Sequence, residues 1–455
     1  MSLHLVEGSA STEGGFFPIT LVLTAELAHW LERLPASDRT YAERMGFKAE
    51  VGERLVLPNG GVSVGVAAAD DLWALGDLAN SLPRGGYYLA QAIGDPTSLA
   101  LGWALGSYVF SRYRKPRREA ADLIWPAGAD RAQVTALAEA IFMARDLINT
   151  PAGDLGPAEL ADAASTLADR FGADLSVING DALLDAGYPA VHAVGRASAK
   201  SPCLIDLNWG DEAAPKVTLV GKGVCFDSGG LDIKSSAGML MMKKDMGGAA
   251  IVLALGQMIM ELKLRVRLRI LVPAVENMIS GNAFRPLDVL PTRHGVTVEV
   301  GNTDAEGRLI LCDALAEADR GNPDLLIDCA TLTGAARVAL GPELPALFTR
   351  HDDLADALTR HGQAVSDPVW RLPLWGGYRR LLDSKTADLS STGESPYGGA
   401  ITAALFLAEF VRPETRWLHI DAMAWNVRSR PGRPEGGEAQ AVRALFELVK
   451  ATAQA

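Results

Sequence analysis

The chain has 455 residues, 48% of them hydrophobic, and 43 basic against 55 acidic side chains give a formal net charge of −12. That length exceeds what one hydrophobic core usually supports, so two domains are expected. No segment approaches the about 18 to 20 uncharged apolar residues that a membrane span needs, and the acidic balance argues against nucleic acid as the main partner.

Residues 1–17 lack a basic stretch followed by an apolar one, so no secretory signal is expected. The next stretch, to residue 125, alternates short apolar runs (19–23, 62–67, 121–125) with helical patterns and carries no cluster of acids, histidines or thiols. It reads as a small α/β domain without catalytic duties. Its one basic cluster, Arg112, Arg114, Lys115, Arg117 and Arg118, is most simply a solvated loop or an interface. A long helical pattern over 131–149 stops at Thr150-Pro151, and 153–157 is rich in turn residues, so the domain boundary belongs nearby. Residues 1–140 are taken as the N-terminal domain and 141–455 as the catalytic one.

Beyond the boundary, strand-like runs at 216–221, 268–274, 296–300, 324–329 and 417–423 are mostly separated by helical patterns at 247–262, 308–320, 400–410 and 438–449. Such alternation predicts an α/β fold whose larger domain is a mixed, largely parallel sheet flanked by helices. Cys203, Cys225, Cys312 and Cys329 stand far apart in apolar patterns, as reduced core thiols do, which points to the cytoplasm. His192 and His419 lie on apolar segments and read as satisfied core histidines.

The chemistry concentrates in three runs. Val220-Gly-Lys222-Gly-Val-Cys-Phe-Asp227-Ser-Gly-Gly230 follows an apolar strand, which places Lys222 and Asp227 at a strand end, with Lys234 shortly after. Met241-Met-Lys-Lys-Asp245-Met-Gly-Gly248 opens an apolar helix, where backbone donors favour the Asp245 carboxylate. Asn302-Thr-Asp304-Ala-Glu306-Gly307-Arg308-Leu309 lies between the alternating run 296–300 and a helical pattern, a loop of the kind in which open α/β sheets bind ligands. In extended backbone Asp304 and Glu306 would leave on the same side, and Gly307 would let the chain turn before the helix.

Singly, these residues have bland readings: Asp245 as an N-cap, Lys222 as a solvated strand end, Asp227 as an Asx turn. Together, Asp227, Asp245, Asp304 and Glu306 would bring four negative charges into one pocket, and carboxylates cannot be gathered out of water uncompensated. Two divalent cations would cancel them. An oxygen-rich set without histidine suits Mn, Zn, Mg or Co, and paired cations polarise a carbonyl and acidify a shared water.

These runs, with Ile233-Lys234-Ser235-Ser236-Ala237-Gly238-Met239 between them, resemble in order and spacing the leucine aminopeptidase family, the cytosolic two-metal leucyl aminopeptidases. Ala144-Arg-Asp-Leu-Ile-Asn-Thr-Pro151, Ala274-Val-Glu-Asn277, Arg285-Pro286 and Gly398-Gly-Ala-Ile-Thr-Ala403 extend the likeness over residues 140–455, whereas the first domain matches only in placement and approximate size. The resemblance implies hydrolytic release of the N-terminal residue from peptides with a free amine. It implies that Lys222, Asp227, Asp245, Asp304 and Glu306 hold two metals, with Asp227 and Glu306 bridging, Asp304 adding its backbone carbonyl and Lys222 ligating as a neutral amine. Lys234 would stay charged and stabilise the oxyanion, and Arg308 would hold a bicarbonate that helps take a proton from the attacking water. Met242, Thr331 and Gly334 would line the side-chain pocket, with Met423 or Trp425 closing it, and the family's hexamer would turn its active sites inward.

Two departures stand out: Ser235, where many relatives have Pro or Ala, and Leu287, where Arg-Pro-Gly-Asp is usual; little effect beyond local backbone shape is expected. The short Asp-Ser-Gly-Gly at 227–230 also occurs in trypsin-like proteases, but no triad partners or all-β pattern accompany it. Gly221-x-Gly223 lacks the third glycine of a dinucleotide fingerprint. Two rivals are weighed: phosphoester hydrolysis, which would want more cations facing the substrate, and a DNA-binding protein that keeps the fold, which the net acidity disfavours.

Overall fold

The computed structural model describes residues 2–8, 15–91, 94–393 and 395–454. The chain forms two compact units, one of Met1–Phe142 with Arg428–Glu435, the other of Met143–Val427 with Gly436–Ala455. In the first, six strands are described: β1 (Leu5–Val6), β2 (Phe16–Leu23), β3 (Arg54–Val56), β4 (Val62–Val66), β5 (Gly86–Leu89) and β6 (Asp122–Ile124). They run β1-β6-β5-β2-β4-β3, parallel except for the β3–β4 pair. The apolar residues of β2 and β4, among them Ile19, Leu21, Val62 and Val64, meet Leu99 and Trp103 of the helix Pro96–Ser107 in one core. That helix starts where Asp95 accepts from the amides of Thr97 and Ser98, with Pro96 at its first position.

The main sheet of the second unit has nine described strands. In chain order it begins with β7 (Asp174–Asn179), β8 (Cys203–Trp209), β9 (Lys216–Gly221), β10 (Gly223–Asp227) and β11 (Arg267–Asn277), after which β12 (Val289–Leu290) and β13 (Val298–Glu299) belong to a separate small sheet. The main sheet continues with β14 (Leu325–Ala330), β15 (Ala346–Thr349) and β16 (Trp370–Arg371), and after β17 (Leu389–Ser390) ends with β18 (Trp417–Asp421). Its order is β16-β15-β18-β14-β9-β11-β8-β7, with β10 paired alongside β11. The central strands β18, β14, β9 and β11 are parallel, and antiparallel pairs lie outside them.

Successive residues of a strand face opposite ways, and β9 shows what covers each side. Gly221 faces Ala249 and Val252 of the helix Gly247–Glu261, while Val220 joins the core containing Leu309 and Ile310 of the helix Glu306–Arg320. Burying both faces of a parallel sheet explains why its strands read as continuous apolar runs. The fold is α/β throughout, as the alternation predicts: a small N-terminal unit and a larger catalytic one with a mixed sheet flanked by helices.

Two local expectations are corrected. The run 296–300 forms only the two-residue β13, paired with β12 and β17 in a three-stranded sheet of its own. Alternation reports which face of a strand is buried and carries nothing about which sheet accepts it. The residues after it do not stay extended, because the Asn302 side chain accepts from the Asp304 amide and winds Thr303–Ala305 into a 3₁₀ turn that runs into the helix at Glu306.

Candidate active site

The site assembles where several main-sheet strands end. Lys222 follows β9, Asp227 closes β10, Thr331 follows β14, and Asp245 sits in the 3₁₀ turn Met242–Met246 that leads into the helix Gly247–Glu261. Glu306 is the first residue of its helix. Gly307 does not turn the chain: a Cβ there would come within 2.5 Å of Lys222 Cε, so its lack of a side chain clears a channel for the lysine stem. Gly229 and Gly230 do adopt left-handed backbone, at φ +88° and +66°, which folds the loop back toward Thr303.

Asp227, Asp245 and Glu306 are each 3% exposed or less, and one oxygen of each lies within 4.8 Å of the others. Lys222 Nζ stands 2.7 Å from Asp245 Oδ2 and 2.9 Å from Glu306 Oε1, and donates to the Thr331 carbonyl at 3.1 Å. Lys234 Nζ lies 2.7 Å from Asp227 Oδ2 and also pairs with Asp304, whose side chain is a third exposed. Asp304 is therefore beside the buried trio without being part of it. Thr331 Oγ1 donates to Asp245 Oδ1 at 2.8 Å, and the Gly229 amide and Asn277 Nδ2 each donate to Asp227 Oδ1 at 2.9 Å.

Four carboxylates face two lysines, and the excess negative charge is visible in their protonation. Burial first, and then repulsion from Asp245, pushes the Asp227 carboxyl up to about 6. Burial and the Asp227 charge push Glu306 up to about 8. Burial would raise Asp245 too, but Lys222 and Lys244 outweigh it and hold this carboxyl below its ordinary value. For Lys222, the surrounding Asp245, Glu306 and Asp227 overcome the burial that would discharge it, so its pKa is raised. Burial pulls Lys244 the other way. Glu306 Oε2 is buried with no hydrogen-bond partner, and Asp245 Oδ2 has only the lysine contact, without hydrogen-bonded geometry. Buried acceptors without donors, in a cluster too negative to ionise fully, suit cations.

These groups open on a cavity of about 720 Å³ whose lining includes Lys222, Asp227, Lys234, Asp245, Asp304 and Glu306 together with Met242, Thr331, Gly334 and Met423. Trp425 is not among the lining residues; its ring sits under Lys243, with Nζ 5.6 Å from the ring centre. Nor does Arg308 line the cavity. It is 8% exposed, donates from Nη1 to the Ser391 carbonyl at 2.6 Å, and keeps Nε buried without a partner. Burial lowers its pKa to about 10.

Some contributors escaped the sequence reading. Asn277 ties three segments together, donating to Asp227 and to the Thr303 carbonyl while its own carbonyl accepts from Ser228. The pair Glu276-Asn277, closing the apolar run 270–275 of β11, was the available signal. Asp421 accepts from the amides of Leu332 and Thr333 and from Thr333 Oγ1, fixing the loop after β14.

The comparisons with known proteins agree with this geometry. Residues 142–446 match the catalytic domain of the cytosol aminopeptidase family, and residues 17–126 match the M17 aminopeptidase N-terminal domain, so the likeness reaches the domain where sequence motifs were sparse. The chain is 40% identical over 446 residues to the probable cytosol aminopeptidase of Geobacter sp. (strain M21), covering 94% of this chain and 88% of that one. It superposes on the crystal structure of the cytosol aminopeptidase from Coxiella burnetii with a TM-score of 0.94 and 47% identity, over 99% of both chains. The bottromycin maturation enzyme BotP in complex with Mn gives a TM-score of 0.86 and 35% identity over 96% of this chain and 99% of that one. The chain belongs to the M17 cytosol aminopeptidase family and is a metal-dependent hydrolase of the leucyl aminopeptidase type.

Proposed function

We propose that this aminopeptidase holds two divalent ions on Lys222, Asp227, Asp245, Asp304 and Glu306 and releases N-terminal residues from peptides in the cytoplasm. The observation that carries the reading is the trio of carboxylates within 4.8 Å, buried, with Glu306 Oε2 lacking any donor. Manganese is the first candidate, since a structure of the related BotP contains it, and zinc, magnesium or cobalt would suit the same oxygens. When bound, such ions polarise the scissile carbonyl and lower the pKa of water.

The chain's own residues divide the remaining work. Lys222 would have to give up its proton to serve as a ligand, so metal uptake would release a proton and weaken as pH falls. Lys234, which faces Asp227 and Asp304, would keep its charge and donate to the oxyanion on the substrate carbonyl once those carboxylates served as ligands. Arg308, with its unpartnered Nε, is the residue to hold a bicarbonate that assists proton transfer. Met242, Thr331, Gly334 and Met423 enclose the substrate side chain. Assembly into a hexamer is part of the proposal, and sedimentation of the purified protein tests it.

The experiment for the reading is hydrolysis of leucine anilide before and after chelation. Activity should vanish with chelator and return with added Mn²⁺; metal-independent release of the amine would contradict the reading.

A further inference from the structure

Lys244 is a buried cation that the mechanism above does not use. It is 5% exposed, it lines the active-site cavity, and its side chain makes no hydrogen bond or ion pair with any described residue. Lys222, by contrast, stands between Asp245 and Glu306, and Arg145 pairs with Glu438. Arg337, exposed on the helix Gly334–Leu340, lines the same cavity and likewise has no ion pair among the described residues. The two positive groups lie near enough to act on each other electrostatically.

The nearby carboxylates are committed elsewhere. Asp245 faces Lys222 and Thr331, and Asp421 is taken by the Leu332 and Thr333 amides and the Thr333 hydroxyl. The same cavity is also lined by the apolar Met242, Leu344 and Met423. A buried ammonium that is open to a cavity and has no carboxylate within ion-pair distance is costly unless the occupant brings one.

We propose that Lys244, assisted by Arg337, binds the carboxylate of an acidic N-terminal residue, so that this enzyme prefers substrates beginning with glutamate or aspartate over their amides. The inference rests on the aminopeptidase reading of the site, since the cavity must be where the first side chain goes. A carboxylate entering the pocket gains a charge-assisted hydrogen bond from Lys244, whereas the isosteric amide leaves the ammonium without a counter-charge. Arg337, being exposed, contributes less.

The test measures kcat/KM for the anilides of glutamate, glutamine, aspartate, asparagine and leucine with the metal-loaded wild type, Lys244→Met and Arg337→Gln. Ratios of substrates on one preparation cancel differences in folded fraction and metal loading. The wild type should favour glutamate over glutamine by at least 10-fold. Lys244→Met should lower that ratio by roughly 10- to 100-fold, the range of one buried charge-assisted hydrogen bond, and Arg337→Gln should lower it a few-fold. An equal wild-type ratio, or one that Lys244→Met leaves in place, overturns the inference while metal-dependent cleavage of leucine anilide keeps the aminopeptidase reading. Absence of metal-dependent cleavage of any anilide overturns that reading instead. The anilides carry no peptide carboxylate, so an effect of Lys244→Met seen only with free dipeptides, whatever their first residue, would assign the lysine to the far end of the substrate and also overturn the inference.

Discussion

Leu287 sits at φ +69° with 71% of its surface exposed, a left-handed backbone that costs an L-residue about 1 kcal/mol. The family resemblance implies glycine there, the residue that tolerates this backbone best. Leu287→Gly should therefore raise the melting temperature by a few degrees, read by differential scanning calorimetry, with no change in substrate preference; a lower value would mean that the leucine side chain makes up for its strain. The other departure is equally specific, because Ser235 caps the short helix after Lys234 by accepting from the Gly238 amide at 3.2 Å. Trp425 illustrates the opposite case. Its ring lies against Lys243 and not on the cavity wall, so Trp425→Ala should leave the ratio of kcat/KM for phenylalanyl and alanyl substrates within about 2-fold, a small fraction of what a lost pocket contact costs. A larger shift would return the ring to the pocket.

Elements were legible to different degrees, for physical reasons. Runs buried on both faces, such as Lys216–Gly221, or strongly apolar along their length, such as Gly247–Glu261, declare themselves because burial and propensity agree. The start of the last helix, Val442–Gln454, was hidden: the amides of Ala441 and Arg443 are received by Asp367, a cap about seventy residues away that no local pattern reveals. The same holds for Asp227, Asp245 and Glu306, which could be named from motifs, while the Asn277 and Asp421 contacts that fix them and their loops depend on tertiary folding.

Strand β18 carries a buried pair of its own: His419 Nδ1 lies 2.6 Å from Asp328 Oδ1, and Trp417 Nε1 donates to Asp328 Oδ2 at 2.7 Å. Burial opposes the histidine's charge, but Asp328 outweighs it, with Asp421 helping and Arg308 opposing, so the His419 pKa is raised. A histidine with a raised folded pKa contributes stability that is full below its unfolded pKa, about 6.5, and is lost as pH rises through the folded value. In chelator, the melting temperature should fall from pH 6 to 9 more steeply in the wild type than in His419→Gln. Parallel curves would show that the pair titrates no differently when folded.

At the scale of the whole molecule, the charge of −12 and the matched family domains over 17–126 and 142–446 describe an acidic peptidase whose buried carboxylate cluster lies in one unit. Ligands that bind only the folded state stabilise it, by about 2.7 kcal/mol at a concentration of 100 Kd. Mn²⁺ should then raise the melting temperature of the wild type by several degrees and that of Asp245→Asn by much less. Equal shifts would place the stabilising ion elsewhere.

The central claim, that the two lysines of this site do different work, is tested most directly by counting metal per chain in Lys222→Ala and Lys234→Ala after dialysis. Lys234→Ala should keep the wild-type metal content and lose roughly 10²- to 10³-fold in kcat, as removal of one preorganised oxyanion donor does. Lys222→Ala should be short of metal and regain part of its activity when metal is supplied in excess. Full metal in Lys222→Ala together with lost metal in Lys234→Ala would contradict the account.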